Sequence, residues 1–170
     1  VTSIHSLPEF YAHALAIEEE AAARYRELGD QMTEHHNPGA AELFFRLAGL
    51  ERKHAAEIGR RAQGVSLPQI APWGYQWQGA ESPETAPHES AHYLMTPWHA
   101  LELALANEKR AVEFFESVAR TSRDEAVARL AQEFAAEERM HVTYVEQALA
   151  SQADPTAGWD EDLDDPQAVE

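Results

Sequence analysis

Apolar residues recur every three or four positions in four segments of the chain, at about 8–32, 39–63, 97–121 and 123–152. That spacing places them on one face of an α-helix. Ser6 with Pro8, and Thr96 with Pro97, read as helix starts, because a hydroxyl caps the free N–H groups and an early proline fits the first turn. Gly64 reads as the stop of the second helix. The joints at 33–38 and near 121–122 are short, which predicts antiparallel neighbours. The connection over 65–95 is long, and Pro68, Pro72, Pro83 and Pro87 forbid a continuous helix within it. The pattern predicts an all-α fold: an antiparallel four-helix bundle, built as two helical hairpins joined by a long crossover.

The two hairpins repeat each other. Setting HALAIEEEAAARYREL (13–28) over LALANEKRAVEFFESV (103–118) brings Glu18 onto Glu108, Ala22 onto Val112 and Tyr25 onto Phe115. Setting ELFFRLAGLERKHAAEI (42–58) over RLAQEFAAEERMHVTYV (129–145) brings Glu51 onto Glu138 and His54 onto His141. Each half therefore reads Glu, an aromatic seven residues on, and then Glu-x-x-His on the second helix. A third Glu-x-x-His, Glu89–His92, lies in the crossover without a repeat mate and reads as coincidence.

The repeated acids sit in the middle of apolar stripes. At about 100° per residue, one face of the second helix carries Phe44, Leu47, Glu51, His54 and Ile58. The matching face of the fourth carries Phe134, Glu138, His141, Val142 and Val145. Glu18 lies among Tyr11, Leu15, Tyr25 and Leu28, and Glu108 among Leu101, Leu105 and Phe115. Glu19, Glu20, Glu113, Glu116 and Glu137 fall off these stripes and read as a solvated face. Four bare carboxylates in one core would cost several kcal/mol each, or take up protons. Two divalent cations would neutralise them. One Glu from each of two helices plus Glu-x-x-His from each of the other two is a ligand set that di-iron and di-manganese bundles use. Oxygen donors with imidazole suit iron or manganese and disfavour Cu(I). A metal-free core of protonated acids, and a zinc or purely structural site, are the other readings.

Composition narrows the function further. The chain has 170 residues and a formal charge of −17, which argues against nucleic acid and anionic membranes as partners. No apolar run is long enough to span a bilayer. There is no cysteine, so a thiolate zinc site, an iron–sulfur cluster and a thiol nucleophile are excluded. The opening VTSIHSLPEF has neither a basic start nor an apolar stretch, so no signal peptide is expected and the cytoplasm is the expected compartment. Residues 1–150 are expected to form the bundle and 151–170 an acidic, disordered tail.

The remaining histidines are expected at the surface. His13 lies about 140° from Glu18 and His99 about 180° from Glu108, while His5, His35, His36, His88 and His92 fall in turns or loops. Trp73, Tyr75, Trp77, Tyr93 and Trp98 gather around the crossover, where they either cover the bundle or build a subunit interface. A homodimer is expected.

The segments AIEEEAAARYREL, LAGLERKHAAEI, LANEKRAVEFFESVA and FAAEERMHVTYV resemble the helices of the rubrerythrin family, within the ferritin-like superfamily. The resemblance covers about residues 8–150. It implies a ferritin-like bundle with two Fe ions held by Glu18, Glu51, His54, Glu108, Glu138 and His141, with Glu51 and Glu138 as bridges. It implies oxidoreductase chemistry, a ferroxidase or a peroxidase acting on Fe(II) with O2 or hydrogen peroxide. A di-manganese catalase-like enzyme and an iron carrier with little turnover are its alternatives. Rubrerythrins typically append a four-cysteine rubredoxin domain; here electrons would come from a separate donor or from ferrous substrate. They also carry an extra carboxylate one turn after the third-helix ligand, linked to a redox-driven iron shift; here Ala111 stands there, with Ala21 as its repeat mate. Because Phe115 replaces the second tyrosine, Tyr25 is the phenol of this repeat pair expected to serve the chemistry.

Overall fold

The computed structural model describes residues 4–77, 82–84 and 95–151. Four long helices account for most of them: α1 (Leu7–Glu34), α2 (Pro38–Arg61), α3 (Pro97–Thr121) and α4 (Glu125–Ala150). The described part of the crossover holds one 3-10 turn, Pro72–Gly74. The acidic stretch at 152–170 and the Glu89–His92 pair lie outside the described residues.

Local chemistry sets the helix ends. The Ser6 hydroxyl accepts from the Glu9 N–H at the start of α1. Asn37 caps α2 by accepting from the Ala40 N–H, and its amide donates to the Met95 carbonyl, which ties the first hairpin turn to the end of the crossover. Asp124 caps α4 through the N–H groups of Ala126 and Val127. Beyond α2 the chain turns at Gly64 with φ of 85°, a left-handed conformation that glycine adopts without steric cost.

α1 packs along α2 and α3 along α4, so each predicted hairpin forms. The buried apolar residues fall into two clusters. One gathers Tyr25, Leu28, Phe44, Leu47, Leu101 and Val145. The other gathers Phe10, Ile17, Ile58, Phe114, Phe115 and Phe134, whose rings meet edge-on, for instance Phe10 and Phe134 at 5.2 Å. Burial of each large side chain contributes about 1.5–3 kcal/mol. Glu18, Glu51, Glu108 and Glu138 are buried on the helices that supply both clusters.

Two predicted surface histidines are instead buried. His13 is fully enclosed because the crossover folds back over it. Its Nδ1–H donates to the Glu9 carbonyl at 2.8 Å, and Nε2 accepts from the Gln76 backbone N–H at 3.0 Å. Tyr75 and Trp77 stand edge-on to its ring. His99 is buried at the start of α3, where its Nδ1 accepts from the Thr96 N–H at 3.0 Å. The helix angles placed both correctly away from the acids; the crossover and the capping geometry removed them from solvent. His5, His35 and His36 are exposed as expected. Of the crossover aromatics, Tyr75 and Trp77 cover the bundle, whereas Trp73 is exposed. No helix among the described residues is long and apolar enough to cross a membrane.

Candidate metal centre

The four buried acids and two imidazoles form two matching groups. Glu18, Glu51 and His54 offer ligand atoms within 4.8 Å of one another, and so do Glu108, Glu138 and His141. In the first group His54 Nδ1 lies 3.2 Å from Glu51 and 3.5 Å from Glu18. In the second, His141 Nδ1 lies 2.8 Å from Glu138 and 3.5 Å from Glu108. The two imidazoles stack with centroids 4.2 Å apart and planes 4° apart. The sequence repeat is thus also a spatial one: each half presents two carboxylates to the Nδ1 of its own histidine.

Electrostatics show what this arrangement lacks. Burial lifts the Glu18 carboxyl to about 8, with Glu138 and Glu51 adding repulsion and His54 opposing it. Burial likewise lifts Glu108 to about 7. For the imidazoles burial works the other way, but the facing carboxylates outweigh it and hold His54 at about 10 and His141 at about 11. Without metal the centre therefore holds protons where the acids converge. Glu18 Oε2 and Glu108 Oε2 are buried and make no hydrogen bond. Each faces only an imidazole Nδ1 at 3.5 Å, and acceptors so poorly satisfied carry a desolvation cost that a cation would remove. The donor set, carboxylate oxygen with one imidazole nitrogen per group, fits iron or manganese.

The centre has an open side. His54 and His141 are 28% and 26% exposed, and both line two pockets between α2 and α4. One, of about 390 Å³, reaches Glu51 and Glu108 past Leu47, Met140 and Tyr144. The other, of about 270 Å³, reaches Glu18 and Glu138 past Arg61 and Phe134. Arg61 spans this seam, paired with Glu137 at 2.7 Å and stacked over Phe134. Glu137, at the rim, and Glu116 on α3, both off the predicted stripes, are half-buried, each paired with an arginine.

Tyr25 is buried between α1 and α3, and its hydroxyl oxygen accepts from Asn107 Nδ2 at 2.8 Å. Burial pushes its ionisation well above the ordinary tyrosine range, and the charges of Glu108, Glu51 and Glu84 push it further. Asn107 also accepts from Arg110, and Arg110 Nε donates to the Pro83 carbonyl at 2.7 Å. Ala111 and Ala21 are both fully buried.

Three polar residues here were not anticipated: Asn107, Arg110 and Glu84. Glu84 is 1% exposed, and its carboxyl approaches those of Glu18 and Glu138 within 4.8 Å. A polar Asn107 beside Glu108 on a buried face was a usable signal; a glutamate in a proline-rich loop was not.

The rubrerythrin family model matches residues 9–149. The chain is similar to an uncharacterized conserved protein from Magnetospirillum magnetotacticum MS-1, whose crystal structure it matches at 40% identity and a TM-score of 0.67 over 89% of this chain and 99% of that one. No curated protein matches it significantly. Four helices in two hairpins, two carboxylate–imidazole groups and a family match over nearly the whole bundle agree: the chain belongs to the rubrerythrin family.

Proposed function

We propose that Glu18, Glu51, His54, Glu108, Glu138 and His141 hold two iron ions, and that the protein is an oxidoreductase that oxidises Fe(II) with O2 or hydrogen peroxide. One observation carries this reading: two buried Glu–Glu–His groups, related by the internal repeat, meet through stacked imidazoles with their Nδ1 atoms turned to the acids. Bound iron would supply one-electron chemistry to an oxygen-containing oxidant. Glu51 and Glu138, each on the same helix as its histidine, are the carboxylates we assign to bridging, and Glu18 and Glu108 the terminal ones.

The remaining residues shape access and order. The α2/α4 pockets admit a small ion or oxidant to the imidazole side. Tyr25, oriented by Asn107, offers its O–H as a hydrogen-bond donor towards the acids while remaining protonated. Electrons come from ferrous substrate or from a separate donor.

Stopped-flow mixing of the protein with increasing Fe(II), under O2 and under peroxide, tests the reading. Oxidation should continue through many equivalents. A reaction that stops at two irons per chain would mark a carrier. Oxygen evolution from peroxide by the manganese-loaded protein, with no Fe(II) oxidation, would mark a catalase.

A further inference from the structure

The repeat accounts for four of the buried acids near the centre and leaves one over. Glu84 belongs to the crossover and has no mate in the other half. It is 1% exposed, and among the described residues neither of its carboxyl oxygens has a hydrogen-bond partner. Leaving a buried acceptor unsatisfied is expensive, and two on one side chain more so. The group is also directed: Glu18, Glu84 and Glu138 bring one oxygen each within 4.8 Å of the others. Glu18 comes from the first half's group and Glu138 from the second's, so Glu84 meets the place where the two halves join. Among the described residues, no imidazole joins this third group.

Ahead of that insertion the crossover is secured to both α1 and α3. Gln76 is bound to His13 and to Glu9 of α1, and Trp77 stands edge-on to Phe114 of α3. Arg110 of α3 holds the Pro83 carbonyl, one residue before Glu84. A solvated loop glutamate needs none of this. A carboxylate delivered into a carboxylate cluster, with no hydrogen-bond partner among the described residues, calls for a cation.

We propose that Glu84 is a seventh protein ligand of the metal centre, delivered by the crossover to the ion that Glu18 and Glu138 also hold. This rests on the dinuclear reading above and adds a fifth carboxylate to it. Five carboxylates exceed the four positive charges of two divalent ions but not the six of two trivalent ions. Glu84 therefore favours the oxidised pair. It also links metal loading to the order of the crossover: a bound ion fixes residue 84, and with it the segment that closes the α1/α3 side.

Titration with Mn(II) alone, counted by the loss of the free-ion EPR signal, tests the assignment in wild type, Glu84→Gln and Glu51→Ala. Wild type is expected to take two ions and Glu84→Gln to weaken one of them by at least about tenfold, the scale that even an outer partner of a ligand commands. Hydrogen exchange of the crossover amides is expected to slow on Mn(II) addition in wild type and not in Glu84→Gln. Two ions bound as tightly in Glu84→Gln as in wild type, with equal slowing of the crossover, would overturn the proposal and leave the dinuclear reading standing. Wild type that binds no Mn(II) would overturn both. Circular dichroism of the metal-free variants checks folding; Glu84→Gln keeps the side chain's size and removes an unpaired buried acid, so it is expected to fold.

Discussion

The α1/α3 and α2/α4 sides of the bundle are built from repeated sequence yet end in opposite states. Between α1 and α3 lie phenylalanines and a buried Tyr25–Asn107 bond, and the crossover seals that side with Gln76, Trp77 and Glu84. Between α2 and α4 the described residues provide no such cover. His54 and His141 stand partly in solvent, and Met140 at the mouth is 63% exposed. A chain with two equivalent halves needs one asymmetric element to acquire an inside and an outside, and the crossover is that element. In the proposed reading, the closed side orders the centre and the open side gives access to it.

The largest expected effect comes from the residues shared by both halves. Glu51→Ala and Glu138→Ala should each abolish tight binding of both ions, because a bridge serves two. His54→Ala and His141→Ala should each weaken mainly one. Metal content after dialysis checks this, and loss of one ion from the bridge variants would reverse the roles of bridge and terminal ligand. Glu89→Ala and His92→Ala should leave metal content unchanged.

Stability should separate the sides next. Phe114→Ala, at a buried ring beneath Trp77, is expected to cost about 3–5 kcal/mol in denaturant unfolding. Met140→Ala on the open side should change stability by less than about 0.5 kcal/mol. Met140→Trp should instead narrow the 390 Å³ mouth and slow Fe(II) oxidation with little change in melting temperature. A faster rate would place the entrance elsewhere.

The histidines of the two sides should also titrate with opposite sign. Unfolded, an imidazole sits near 6.5 and a glutamate near 4.5, whereas in the metal-free fold His54 and His141 lie at about 10 and 11 and Glu18 and Glu108 at about 8 and 7. The folded chain then binds more protons than the unfolded one, so its stability falls as pH rises. The carboxyl part is lost from about 4.5 up to 8 and the imidazole part from about 6.5 up to 11. His13 runs the other way. Burial lowers it, and its Nε2 must stay unprotonated to accept from Gln76, so its contribution is present above 6.5 and lost as pH falls below that. Metal has to displace the protons of the open side, so the rise in melting temperature on Mn(II) addition should grow from pH 6 to pH 8. A rise that is constant across that range would count against a centre that exchanges protons for metal.

Much of this is legible in the sequence, because a bundle writes itself in period. The stripe through Phe44, Leu47, Glu51 and Ile58 marked both a buried face and the acid inside it, and the matched stripe in α4 separated Glu138–His141 from chance. Helix caps were equally local: Ser6 and Thr96 flank α1 and α3 as expected. What escaped depends on the crossover, whose course no periodicity encodes. His13 looked exposed because its helix angle points away from Glu18, yet the face it does occupy is the one the crossover covers. Glu84 sits among prolines with no repeat mate, and nothing local distinguishes it from a solvated loop acid.

The central claim is that six side chains from four helices hold two ions. A metal-resolved anomalous difference map of the iron-loaded crystal tests it most directly. Two peaks are expected, one about 2.0–2.5 Å from His54 Nδ1 and carboxyl oxygens of Glu18 and Glu51, the other equally placed by His141, Glu108 and Glu138. A single peak, peaks remote from either imidazole, or no peak in protein that retains iron on dialysis would contradict the account.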